Sequence, residues 1–265
     1  MSYKKVSGFT IIETMLFLAI TGLLVAGILG SAGSSINTQR YKDSVSSLQA
    51  YFQKQFSEAT NVSNDQRTAM QNFSCDANAT VTNGGSNILP RGQSDCLILG
   101  KFITSVNTSF VGTNKLNVAT VVGVPTAATA SDPSNDTLVL ATYNIKVIPN
   151  NVISFDVYDI EWGSTLKIPG SGNDSKFSIL LLKSPTSGVT RAYIDSDSVV
   201  SNPKTLVNSS YLLPAETVSM CVNSGNMYGG EKMAVIVNAN ATSAAGVETL
   251  SSSGLTARFG VNFKC

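Results

Sequence analysis

The feature that most constrains this 265-residue chain is an apolar run over residues 9–29 in which Glu13 is the only charge. Those twenty-one residues, wound as a helix, reach about 31 Å, the thickness of a bilayer's hydrocarbon core. The run is therefore long enough to cross a membrane. It follows a short polar leader, MSYKKVSG, which carries Lys4 and Lys5. A secretory signal has a shorter apolar core and then small residues at a cleavage site, so a short head, a long run and an early carboxylate fit that pattern poorly. Lysines on the near side favour a cytoplasmic amino terminus, a bias that Arg40 and Lys42 oppose from well beyond the run.

All eight prolines lie at or beyond Pro90, so a long helix belongs in the first third of the chain. After the run, apolar residues recur at Tyr41, Val45, Leu48, Phe52, Phe56 and Ala59, in steps of three and four that trace one stripe on a helix. Lys42, Asp43, Gln49, Gln53 and Lys54 fall off that stripe, and Lys54 can pair with Glu58 one turn on. The spacing predicts one helix over residues 9–61, about 80 Å long, half of it apolar all round and half amphipathic. A break at Gly30, Gly33, Ser34 and Ser35 would give two helices instead.

Beyond about residue 65 the period changes from 3.6 to 2. Tyr143, Ile145 and Val147 alternate with polar residues, as do Ile153, Phe155 and Val157, and Leu255, Ala257, Phe259, Val261 and Phe263. These read as strands, the first two joined in a hairpin through Pro149, Asn150 and Asn151. Further strands are predicted over residues 96–103, 116–124, 137–142, 177–183, 190–194, 218–222 and 232–238. Loops are predicted at Gly84, Gly85 and Ser86 and over residues 129–136. The expected class is α+β: a leader over residues 1–8, a long helix over 9–61, and a β-rich head over 62–265.

Composition removes several functions. Histidine is absent, which excludes Ser/His/Asp triads, Cys/His dyads and most mononuclear zinc sites. Lys plus Arg number 18 against 17 for Asp plus Glu, so the chain lacks the electropositive excess that phosphate backbones demand, and no nucleic-acid partner is expected. An enzyme built on a Ser/Lys pair would need a lysine of depressed pKa in a cleft, and no motif nominates one.

Glu13 carries the most information, because a carboxylate inside a bilayer-spanning helix costs on the order of 3 kcal/mol unless it is paired or lies near the helix end. It closes the hexapeptide Gly8, Phe9, Thr10, Ile11, Ile12, Glu13, which stands between a lysine-bearing leader and the apolar run. That signature closely resembles the processing site of type IV pilins and of type II secretion pseudopilins. The resemblance covers residues 4–31 closely, extends more loosely to residue 61, and has no motif match beyond. It implies cleavage after Gly8 by a prepilin peptidase, N-methylation of Phe9, and pairing of Glu13 with the Phe9 amino terminus of a neighbouring subunit during filament assembly. It also implies a pilin-like fold, storage in the cytoplasmic membrane with the amino terminus inside, and an assembly platform with its ATPase as partners. Opposite charges in a low dielectric can offset each other's desolvation when their geometry is good. Cleavage would create the amine that Glu13 needs.

Two departures stand out. Gly30 occupies the place where many bacterial pilins have a proline, and Gly22 lies where the family often has a flexible glycine. Gly22, Ala26, Gly30 and Ser34 also form a ladder of small residues at spacing four, suited to close helix approach.

Cys75, Cys96, Cys221 and Cys265 make an even set on the side that this topology places outside, where disulfides persist. Three connectivities are possible, and proximity in sequence suggests Cys75 with Cys96 and Cys221 with Cys265. The second bridge would pin a terminal strand. Asp156, Asp159, Glu161, Asp195 and Asp197 could offer oxygen ligands to calcium, but no complete ligand loop is present and they read as solvated turn carboxylates. No metal or cofactor is expected. A secretion pseudopilin and a permanently anchored surface adhesin remain the competing readings. The size of the head favours a minor subunit of the filament.

Overall fold

The computed structural model describes residues 10–61, 73–83, 96–106, 114–169, 176–212, 215–225, 228–261, 263 and 265. A single helix, α1 (Ile11–Thr60), runs without a break through the Gly/Ser stretch. Hydroxyls in that stretch bond back onto the helix's own carbonyls: Ser31 to Ile28, Ser34 to Ser31 and Thr38 to Ser34, at 2.9–3.0 Å. These bonds return the polar side chains to the helix and leave the ladder intact, so the two-helix alternative is not what forms.

The remaining elements are β1 (Phe73–Cys75), β2 (Val81–Asn83), β3 (Leu97–Val106), β4 (Lys115–Pro125), α2 (Asp136–Ala141), β5 (Tyr143–Val147) and β6 (Asp156–Asp159). After them come β7 (Thr165–Lys167), β8 (Ser178–Lys183), β9 (Thr190–Asp195), α3 (Pro203–Leu212), β10 (Val218–Asn223), β11 (Met233–Val237), β12 (Val247–Ser251) and α4 (Ser252–Phe259). Every strand pairing is antiparallel. One sheet runs β5-β4-β3-β8-β9 with β6 also on β4, a second runs β12-β11-β10-β7, and β1 with β2 makes a separate hairpin. The class is α+β, a long apolar amino-terminal helix followed by antiparallel sheet.

The two sheets share one core, and α1 is part of it. Tyr41, Val45, Leu48, Phe52, Phe56 and Ala59, the stripe read from the sequence, are all at most 2% exposed. They pack against Ile103 of β3, Ile179 and Leu181 of β8, Met220 and Val222 of β10, and Val235 and Val237 of β11. Each large side chain buried there contributes about 2 kcal/mol. The far face of the larger sheet is covered by α2 and α3 through Leu140, Leu206 and Val207, which meet Leu180, Leu182 and Tyr193. Strand β8 is thus buried on both faces, which explains its unbroken apolar run.

Three sequence expectations are corrected. Residues 143–147 and 153–157 do not pair as a hairpin: β5 and β6 lie end to end along the same edge of β4, at Val121–Pro125 and Lys115–Val118 respectively. Pro149 has no N–H to continue the ladder, and the chain bulges out until the Phe155 N–H returns to Asn150 Oδ1 at 2.7 Å. Residues 137–142 form α2 rather than a strand, because Asn135 caps the Thr137 N–H at 3.0 Å. Residues 255–263 are not a strand either. Ser251 caps α4 through the Gly254 N–H, Gly260 ends it with φ 98°, and Ala257, which alternation would bury, is exposed. The predicted loop at Gly84, Gly85 and Ser86 lies outside the described residues.

Candidate functional site

Among the described residues nothing packs on the amino-terminal half of α1. Residues 10–36 are exposed except for Thr21, which is half-buried, and Ile11, Leu23 and Leu29 are 76%, 76% and 68% exposed. Among the described residues this is the one helix long and apolar enough to cross a membrane, and its most apolar window has no buried residue. Gly22 and Gly30 of the small-residue ladder face open space.

Gly8 and Phe9 lie outside the described residues. Glu13 sits in the first turn of α1, where its backbone N–H donates to Thr10 Oγ1 at 3.3 Å. Thr10 and Glu13 stand at the spacing of a capping box, in which the glutamate can return to the N–H of the cap residue. Only the threonine half is made here, and among the described residues no hydrogen bond or ion pair engages the Glu13 carboxylate. A free carboxylate in the first turn is favoured by the helix dipole and available to an external cation.

The head meets α1 at Tyr41. Its hydroxyl accepts from the Met233 N–H at 2.6 Å and donates to the Val222 carbonyl at 3.1 Å, while its ring stacks on Tyr228 at 4.3 Å. Beside it the turn Glu161–Gly163 is tied to α1: Ser44 Oγ donates to the Glu161 carbonyl at 3.3 Å and Ser47 Oγ to Glu161 Oε2 at 3.0 Å. That turn holds Trp162 in the left-handed region, φ 57° and ψ 26°, and 48% exposed. The Arg40 guanidinium lies over the indole, 5.0 Å from its centroid.

Further along α1, Tyr51 stacks on Tyr158 at 4.0 Å, and among the described residues neither hydroxyl has a partner; both amide atoms of Gln55, itself 1% exposed, are also unpaired there. Burial, reinforced by the nearby carboxylates of Asp156 and Glu58 and by Tyr158, pushes the Tyr51 phenol well above its ordinary range. Burial together with Glu161 pushes Tyr158 up to about 12.

The four cysteines form two bridges, Cys75–Cys96 and Cys221–Cys265, with Cα separations of 6.1 and 5.4 Å. Cys75–Cys96 ties the β1-β2 hairpin to the start of β3. Cys221–Cys265 anchors the tail after α4 to β10, where Cys265 N–H also donates to Ser252 Oγ at 3.1 Å. An open cavity of about 830 Å³ lies beside this bridge, lined by Glu231, Lys232, Ser252, Thr256, Ala257 and Val261.

The acidic residues are dispersed. Asp195 accepts from the N–H groups of Asp197 and Ser198 in a turn, and Asp159 pairs with Lys115 at 3.0 Å. Among the described residues no three Cys, Asp or Glu side chains converge as metal ligands. Trp162 stands outside every periodic pattern in the sequence. The signal that could have found it is the chain's one tryptophan standing directly before a glycine in a polar stretch. No family model, curated protein or solved structure matches this chain.

Proposed function

We propose that this chain is a type IV pilin-like subunit, stored in the cytoplasmic membrane and assembled into an extracellular filament. In this reading a prepilin peptidase cuts after Gly8, Phe9 becomes the N-methylated amino terminus, and Glu13 pairs with the Phe9 amine of a neighbouring copy at the assembly platform. The head stays outside the cell, held by its two disulfides, and its role is structural. The observation that carries the reading is the division of α1. One half is built into the head's core, whereas the other, among the described residues, is bare, apolar and headed by a carboxylate without a partner. A helix that is apolar all round and unpacked within its own chain is completed by lipid or by other helices.

The test has two parts. Mass spectrometry of the protein from its own host should find a chain beginning at methylated Phe9; a chain retaining Met1 would instead favour a permanently anchored surface module. Glu13→Ala should leave insertion and cleavage intact and reduce incorporation into filaments at least about tenfold, a loss equivalent to about 1.4 kcal/mol of subunit pairing. Incorporation at the unaltered level would remove the assembly role given to Glu13.

A further inference from the structure

The base of the head begins where the uncharged stretch of α1 ends. No charged residue stands between Glu13 and Arg40, and α1 is continuous across that interval. The two charges are twenty-seven residues apart, so about 40 Å of helix axis separates them. A bilayer with its headgroup layers is about 40–45 Å thick. With Glu13 in the polar layer on one side, the twenty-six uncharged residues, about 39 Å of helix, cross the hydrocarbon core together with its boundary layers, and Arg40 arrives at the headgroups on the other.

Trp162 lies at that same level, under the Arg40 guanidinium. An indole has an apolar ring and one polar N–H, which is why tryptophan concentrates at membrane–water interfaces. An arginine fork matches a phosphate. The turn also presents its tryptophan at a local cost, since a bulky residue with φ 57° is rarely tolerated, and Ser44 and Ser47 clamp Glu161 so that it persists. Gly163 follows at φ 66°, where glycine alone is comfortable. Lys42, Asp43 and Glu161 are exposed alongside and leave the patch mixed in charge apart from the Arg40–Trp162 pair.

We propose that Arg40 and Trp162 seat the head on the lipid headgroup layer while the subunit is stored in the membrane, Arg40 on lipid phosphates and Trp162 in the layer beneath. This rests on α1 spanning the bilayer, as the proposed function requires. Release of the subunit from the membrane would then break two holds, the apolar span and this contact.

Trp162 is the chain's one tryptophan, so its fluorescence reports this site alone. The full chain would be reconstituted into vesicles of equal parts phosphatidylcholine and phosphatidylglycerol, floated on a density gradient, and its emission quenched by nitroxide lipids. The expected result is co-flotation, with headgroup-labelled lipid quenching at least about twofold more strongly than lipid labelled at the acyl terminus, and loss of that difference in Arg40→Glu. Co-flotation with no quenching by either lipid overturns the headgroup seat and leaves the spanning helix standing. Failure to float overturns both, and is read before any fluorescence. A buried indole whose quenching follows the protein-to-lipid ratio means that another copy covers it, which also overturns the seat.

Discussion

Gln55 is the residue whose chemistry fits its surroundings least. It lies on the buried face of α1, 1% exposed, and among the described residues neither amide atom finds a partner. An amide desolvated without a hydrogen bond costs about 1–3 kcal/mol. Gln55→Leu should therefore raise stability by about 1–2 kcal/mol, read from the denaturant midpoint of the full chain in detergent. A lower midpoint would mean that the amide is bonded within the core. The contrast with Tyr41 is instructive, because that hydroxyl both accepts and donates across the same interface and fixes where the head begins on the helix. Tyr41 belongs to the apolar stripe read from the sequence, whereas Gln55 shares its buried face as a polar residue outside that stripe. Periodicity marks burial and is silent about polar partners, so Tyr41's two bonds and Gln55's lack of any were invisible in the sequence. Trp162 was hidden for a different reason, since a single exposed aromatic in a turn produces no pattern at all.

The helix–sheet interface is where pH acts. Burial holds the Tyr51 and Tyr158 phenols in their neutral form, with Tyr158 moved from about 10 up to about 12. A group whose folded pKa is raised contributes stability that is complete below its unfolded value and is lost as pH climbs through the folded one. The interface should therefore hold up to about pH 10 and loosen progressively between about pH 10 and 12, seen as tyrosinate absorbance rising together with loss of near-ultraviolet dichroism. Ionisation near pH 10 with dichroism unchanged would place these rings in water. At this scale the sequence was legible wherever one period ruled. The stripe on α1 and the strands β3, β4, β8, β9, β10 and β11 all lie where alternation or apolar runs put them. It misled where caps decide, at α2 and α4, because one side-chain oxygen on a leading N–H outweighs a short alternation that any polar segment produces by chance. It also misled at β5 and β6, where an edge strand interrupted by Pro149 looks like two strands facing each other.

For the whole molecule the disulfides matter most at the carboxy-terminal end, where α4 covers its sheet with Leu255 and the partly buried Phe259. Cys221–Cys265 closes a loop of 44 residues, for which chain entropy implies a stabilisation of up to about 4 kcal/mol. The double change Cys221→Ser with Cys265→Ser should lower the head's stability by about 2–4 kcal/mol and expose the backbone amides of α4 to faster hydrogen exchange. Protection of α4 unchanged from the parent would show that its packing suffices without the bridge. The uninterrupted course of α1 has a mechanical consequence. A pull on its bare end is carried by a stiff rod straight into the head, and must drag the whole row from Tyr41 to Ala59 past two sheets at once. Such a joint is loaded in shear, with its contacts sharing the tension, so it yields only at forces far above those that would unzip the same contacts one by one.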